Sequence, residues 1–144
     1  MGVLSLLLIL LIPSTHLKEI VLEFHELSSR NNESTFIEKY NASVDPSVLG
    51  YKYAIEMKQA EYSYNPISKL KIFNEAREKL DLLIKHNPTD VHLRYIRLLL
   101  QEKTPRILGY KDSIEEDKSF LLKKIAVFDE SDYLDYYIYK NTSL

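Results

Sequence analysis

The sequence predicts an all-α fold of six to seven helices, packed as antiparallel hairpins in a repeat-like bundle. Three observations carry that expectation. Apolar residues recur at spacings of three and four along most of the chain, as one buried face of a helix requires. Asp45-Pro46 and Asn65-Pro66 stand at the heads of two such stretches, where the polar residue caps the first turn and proline occupies the first helical position. Outside the tyrosine-rich C-terminus no segment carries a strand-like pattern. At 144 residues, one domain is the expected size class.

The elements follow in order. Val3 to Ile12 is an almost unbroken apolar run closed by Pro13-Ser14-Thr15, the hydrophobic core and small-residue exit of a secretory signal. As a helix it spans about 15 Å, against a bilayer core of about 30 Å. A signal over residues 1–14, cleaved after Ser14, is therefore expected, leaving residues 15–144 as a single helical domain. No Lys or Arg precedes the run, and the other reading of it is a buried N-terminal helix. An uncleaved signal would tether the chain to a membrane, although Lys18, Glu19 and Glu23 make a deeper continuation costly.

Leu17, Ile20, Phe24 and Leu27 form the stripe of a first short helix, which ends in the polar stretch Ser28 to Asn32. A second runs from about Ser34 to Asn41 on Phe36, Ile37 and Tyr40, and Pro46 breaks the path beyond it. The third opens at Asp45-Pro46 and continues to about Asn65, with Leu49, Tyr53, Met57, Ala60 and Tyr64 as its apolar face and Lys52, Glu56, Lys58 and Glu61 as its polar one. The fourth opens at Asn65-Pro66 and reaches about His86 on Leu70, Phe73, Ala76, Leu80 and Leu83. From Asp90 a fifth presents Leu93, Ile96 and Leu100, widened by Leu98 and Leu99, and stops before Pro105. Tight connections imply that helices three and four, and four and five, pack as antiparallel hairpins. Ile107 to Tyr110 is a turn. The sixth helix, from about Ser113 to Phe128, uses Ile114, Leu121, Ile125 and Phe128, with Glu115, Glu116 and Asp117 in the first turn, where the helix dipole favours negative charge. Ser131 or Asp132 caps a last helix on Leu134, Tyr137 and Ile138, although Tyr133, Tyr136 and Tyr139 also suit a strand.

Composition narrows the functional classes. Lys and Arg number 19 against 21 Asp and Glu, a net charge of -2, which gives no broad attraction for nucleic acid or an anionic membrane surface. With no Cys, disulfides, thiolate metal sites and thiol nucleophiles are excluded.

Ala76, Leu80, Leu83 and Pro88 resemble the second-helix half of a tetratricopeptide repeat, although Leu83 stands where that repeat prefers a small residue and its first-helix pattern is missing upstream. A longer string, Tyr64-Asn65-Pro66, Lys69-Leu70, Phe73, Pro88, Leu93-Arg94-Tyr95-Ile96-Arg97, Gln101, Pro105 and Leu108-Gly109-Tyr110, resembles a family of small exported α-helical proteins of flavobacteria and their relatives. The resemblance covers roughly residues 50 to 125. It implies export from a bacterial cell, to the periplasm or beyond, and brings no activity, cofactor or catalytic residue with it. In that setting the Asn-x-Ser/Thr sites at Asn32, Asn41 and Asn141 are incidental; in a eukaryotic secretory pathway they are glycosylation candidates.

Candidate chemistry is sparse. Arg94 and Arg97 lie three apart on the fifth helix, with Arg106 and Tyr110 beyond, a spacing that offers guanidinium forks to a carboxylate or phosphate. The structural reading is pairing with Glu75 and Glu78 of the neighbouring helix, or pinning of the Pro105 to Tyr110 turn. His86, Asp90 and His92 lack metal-site spacing and read better as a helix-terminal histidine and an N-cap. No nucleophile elbow or phosphate loop is present, and the acidic Asp129 to Asp135 stretch lacks the Gly and terminal Glu of a calcium loop. Eleven tyrosines, among them Tyr51, Tyr62 and Tyr64, supply rigid amphipathic contact area.

The expectation is a non-enzymatic protein–protein interaction module without cofactor, whose surface of Arg94, Arg97, Arg106, Tyr110, Tyr51, Tyr62 and Tyr64 meets another envelope protein or a peptide. The alternatives are a small-ligand or lipid-binding bundle, suggested by the apolar arc at Leu98 to Leu100, and an enzyme resting on Arg94, Arg97 and His92. A pocket too small for a ligand would exclude the bundle reading.

Overall fold

The computed structural model describes residues 14–144, so the expected signal lies outside the described residues except for Ser14. Among the described residues the chain is all-α, with seven helices and no strand: α1 (Ser14–Glu26), α2 (Arg30–Lys39), α3 (Pro46–Lys58), α4 (Pro66–His86), α5 (Val91–Lys103), α6 (Ile114–Ile125) and α7 (Asp135–Asn141). Short 3-10 turns at Gln59–Tyr62, Arg106–Leu108 and Asp132–Leu134 join or extend them.

Local capping sets most helix starts. Asp45 Oδ1 accepts from the Ser47 amide at 2.8 Å, Asn65 Oδ1 from Ile67 at 2.9 Å and Asp90 Oδ1 from Leu93 at 3.1 Å, each satisfying an amide that has no intrahelical acceptor. Ser29 does the same for Asn32, which starts α2 at Arg30, four residues before the sequence pattern places it. The third helix is shorter than expected, because it tightens into the Gln59–Tyr62 turn and leaves Ser63 to Asn65 as a link. α6 ends at Ile125, so Phe128 falls beyond it and stands exposed. Gly109 closes the Arg106–Leu108 turn with φ 65, a left-handed conformation that glycine adopts without a Cβ penalty.

α3 is the centre of the fold and packs against α1, α2, α4 and α5. Its buried residues include Val48, Tyr51, Ala54, Ile55 and Met57; of the expected face Met57 and Ala60 are buried, whereas Leu49 and Tyr53 are only half-buried and Tyr64 is exposed, a correction for those three. A helix enclosed on several sides buries more than one stripe, so its 3.6-residue period does not reveal which face turns inward. Gly50 brings α3 close to α5: a Cβ there would lie 2.4 Å from Leu93 Cδ2 and 3.0 Å from Ile96 Cδ1.

The principal hairpins are α3 with α4 and α5 with α6, and α3 against α5 joins the two. α4 and α5 touch less despite the tight turn between them, so the expected α4–α5 hairpin is the minor partnership. The main core runs through Ile20, Phe36, Tyr51, Leu80, Leu93, Ile96, Leu98 and Leu121. The C-terminal segment docks on this core through Leu134 and Ile138, both fully buried, and its tyrosines are helical.

Candidate functional site

The two arginines on α5 are spent inside the fold. Asp117 of α6, with no exposed surface, accepts from Arg97 Nε and Nη2 at 2.7 Å each and from Arg94 Nη1 at 2.9 Å. Arg94 Nη1 also donates to Glu116 at 2.6 Å, its Nε donates to the Pro88 carbonyl at 2.9 Å, and its guanidinium lies over the Phe120 ring. The hydrogen bond from Arg94 holds the Glu116 carboxyl below the usual carboxylate range. Pairing is therefore with the first turn of α6, and not with Glu75 and Glu78. The pinned carbonyl belongs to the α4–α5 turn, and not to Pro105 to Tyr110.

The candidate tyrosines divide. Tyr51 is fully buried, its hydroxyl 2.8 Å from His92 Nδ1, and Tyr110 is buried with its hydroxyl donating to Asp81 at 3.0 Å beneath the Arg77 guanidinium. Neither presents a contact surface, which corrects the expectation for both: each phenol ring fills core volume while its hydroxyl reaches an internal partner. Tyr62 is half-buried under the Arg30 guanidinium. Tyr64 is fully exposed on the Ser63 to Asn65 link, and Arg106 is exposed. These seven residues do not form one surface.

His92 is held at both ring nitrogens, by Tyr51 from α3 and by Tyr133 at 2.9 Å. Burial lowers its pKa against the opposing pull of Asp90 and Asp45. Asp90 is a cap that also accepts from the Ser47 hydroxyl at 2.6 Å, and His86 Nδ1 lies 2.9 Å from the Leu82 carbonyl oxygen within its own helix. Among the described residues no three His, Asp or Glu side chains converge as metal ligands.

What the helices do leave open is an apolar groove of about 880 Å³. Ala54, Ile55, Met57 and Ala60 line it from α3 and the turn that extends it, Leu70 and Phe73 from α4, and Leu99 and Leu100 from α5. Phe24 of α1, Leu27 just beyond its end and the Pro105 to Leu108 segment complete it. The space exists because Ala54 and Ala60 offer one methyl each, while the first turns of α4 carry Leu70 and Ile67 into solvent, 47% and 80% exposed. Its charged lining is Lys58, Lys69 and Lys103 against a single acid, Glu61, with His25 beside them. His25 Nε2 lies 2.9 Å from the Tyr95 hydroxyl, and its ring stacks on Tyr137 at 4.8 Å. Burial first, then Lys103 and Lys140, push its pKa down to about 4, so the imidazole is neutral at neutral pH. A second cleft, lined by Glu56, Gln59, Ile72 and Lys79, is smaller at about 310 Å³ and crossed by the Lys79–Glu56 ion pair at 3.1 Å.

Of the groove, sequence reasoning finds the apolar arc of α5, since Leu99 and Leu100 line it. His25, Lys58, Lys69 and Lys103 give no signal in the sequence, because isolated lysines on helices read as solvated surface.

No protein-family model, curated protein or solved structure matches the chain. The functional reading therefore rests on the residues themselves.

Proposed function

We propose that this protein is a non-enzymatic binding module whose working surface is the groove enclosed by α1, α3, α4 and α5. The groove carries the reading: its volume of about 880 Å³ lies in the range of roughly 300–1,000 Å³ typical of ligand sites, and its walls are mostly aliphatic and aromatic. The residues an enzyme would have used support the same reading by their other commitments. Arg94 and Arg97 are tied to Asp117, and both His92 nitrogens to tyrosine hydroxyls.

Export belongs to the proposal, on the strength of the Val3 to Ile12 run and the resemblance to exported flavobacterial proteins, and with it a ligand or peptide met in the cell envelope. Repeat-like packing belongs to it as well. Its support is the burial of Ala76 and Leu80, beside a half-buried Leu83 and an exposed Pro88, and the contact of the α3–α4 and α5–α6 hairpins through α3 and α5.

Titration with Nile red, an uncharged apolar dye, tests the reading. The expected result is saturable fluorescence enhancement at one dye per chain, abolished by Leu70→Glu with Ile107→Glu. Both residues are exposed at the groove, 47% and 93%, so the variant retains its fold. Unchanged dye binding in that variant, or none in the wild type, would refute the proposal.

A further inference from the structure

We infer that the groove receives an anionic amphiphile: one apolar acyl-type chain lying against Ala54, Phe73 and Leu99, with its carboxylate, phosphate or sulfate head at the lysines of the rim. The inference rests on the binding-module reading and adds the chemical class of the ligand.

Charge complementarity selects the head group. Three lysines and one glutamate line the groove. Lys58 is already 2.6 Å from the buried Glu33 carboxylate, whereas neither Lys69 nor Lys103 forms an ion pair within the described residues. These two cations therefore flank an apolar surface with no carboxylate paired to them among the described residues, Glu61 being the one acid of the lining. At His25, in the groove lining, burial is the first cause that disfavours a proton, and the charge of Lys103 adds to it. A cationic head would meet that same repulsion, and a neutral head would leave the two ammonium groups paired only with water.

Dimensions select the tail. A partner helix would seat only one apolar face here and keep the rest of its girth outside, whereas a small ligand is taken up whole by a groove of roughly 880 Å³. An extended hydrocarbon chain is one methylene wide and lies within it. The lining offers such a chain methyl and aromatic carbon along its length, while Lys58, Lys69, Lys103, Thr104 and Asn141 supply the polar border.

The test is isothermal titration of the full chain with dodecanoate, dodecanol and dodecylammonium below their aggregation concentrations, together with decanoate and Nile red. Dodecanoate is expected to bind at one per chain, roughly tenfold or more tighter than the other two head groups, and to displace Nile red. Two fewer methylenes in decanoate should weaken binding roughly fifteenfold, since each buried methylene changes affinity about fourfold. Lys69→Gln with Lys103→Gln should weaken dodecanoate roughly tenfold and leave both Nile red affinity and the melting temperature unchanged, since both lysines are exposed.

Equal affinity for all three head groups, with Nile red still bound, overturns the inference and leaves the binding module standing. So does displacement of Nile red by an amphipathic helical peptide and not by dodecanoate, which would assign the groove to a protein partner. Failure of Nile red and every amphiphile to bind overturns both.

Discussion

Removing the Asp117 carboxylate by Asp117→Ala tests the most consequential contact in the fold. Three charge-assisted hydrogen bonds of 2.7 to 2.9 Å converge on a side chain with no exposed surface, from two guanidiniums that are each 11% exposed. Breaking a buried pair by deleting one partner costs about 3–5 kcal/mol, because the other charge stays buried and uncompensated. Here the low end applies to Arg94, which keeps Glu116 at 2.6 Å and the Pro88 carbonyl at 2.9 Å. Arg97 loses both of its short bonds and retains only Glu116 at 3.9 Å. The expected loss is about 3 kcal/mol, which for a chain of this size lowers the melting temperature by roughly 10 °C. Urea and thermal melts followed by far-ultraviolet circular dichroism measure it, at low and high salt. The loss should be nearly independent of salt, since buried charges are weakly screened. Replacing all three residues by apolar ones, Arg94→Met with Arg97→Leu and Asp117→Leu, should recover stability to within about 1 kcal/mol of the wild type. A loss below about 1 kcal/mol for Asp117→Ala, or one that vanishes in high salt, would show that the cluster behaves as a surface ion pair and that α5 and α6 are held by apolar packing alone. Nile red binding below the melting temperature should be unaffected, because Asp117 does not line the groove.

His25, with its pKa lowered from 6.5 to about 4, makes stability depend on pH. Above the unfolded value both states are neutral and nothing changes; between the two values the unfolded chain binds the proton and the folded chain does not, so stability falls as pH falls. Allowing for the half-buried position of the ring, the loss between about pH 7 and about pH 4 is roughly 1–2 kcal/mol. His25→Gln should shrink the wild-type loss by that amount in urea titrations at the two pH values, and an unchanged loss would remove His25 from the account. Gly50→Val should destabilise by about 2 kcal/mol or more in the same assay, because its Cβ falls 2.4 Å from Leu93 Cδ2 and a β-branched side chain has few rotamers with which to avoid it; a neutral effect would mean that α3 and α5 part readily. Tyr51→Phe leaves His92 Nδ1 buried without its hydroxyl partner and should cost about 1–3 kcal/mol, read from the urea midpoint; a stabilised variant would show that water replaces the bond.

The all-helical class, the starts of α3, α4 and α5 and the end of α4 at His86 are legible in the sequence. Each is decided within one turn of chain: Asp45, Asn65 and Asp90 satisfy amides two or three residues ahead, and prolines forbid continuation. The acidic opening of α6 is legible too, as a favourable match to the helix dipole, but its second use is not. That Glu116 and Asp117 meet Arg94 and Arg97 depends on α5 lying against α6 rather than closely along α4, a choice made by packing between segments about twenty residues apart.

The same division runs through the candidate site. Composition alone determines that disulfides and thiol chemistry are excluded and that no broad basic field exists. Tertiary structure decides that Tyr51 and Tyr110 are core residues: α3, which carries Tyr51, is enclosed from several directions, so its periodicity cannot say which side faces a neighbour, and Tyr110 is buried only because its turn folds onto Phe73 and Asp81 of α4. It also decides that Phe24, Ala54, Leu70, Leu100 and Asn141 share one groove. Local patterns record the energies of neighbours along the chain, whereas a concavity is the space left when distant helices with small side chains at their crossing fail to fill it.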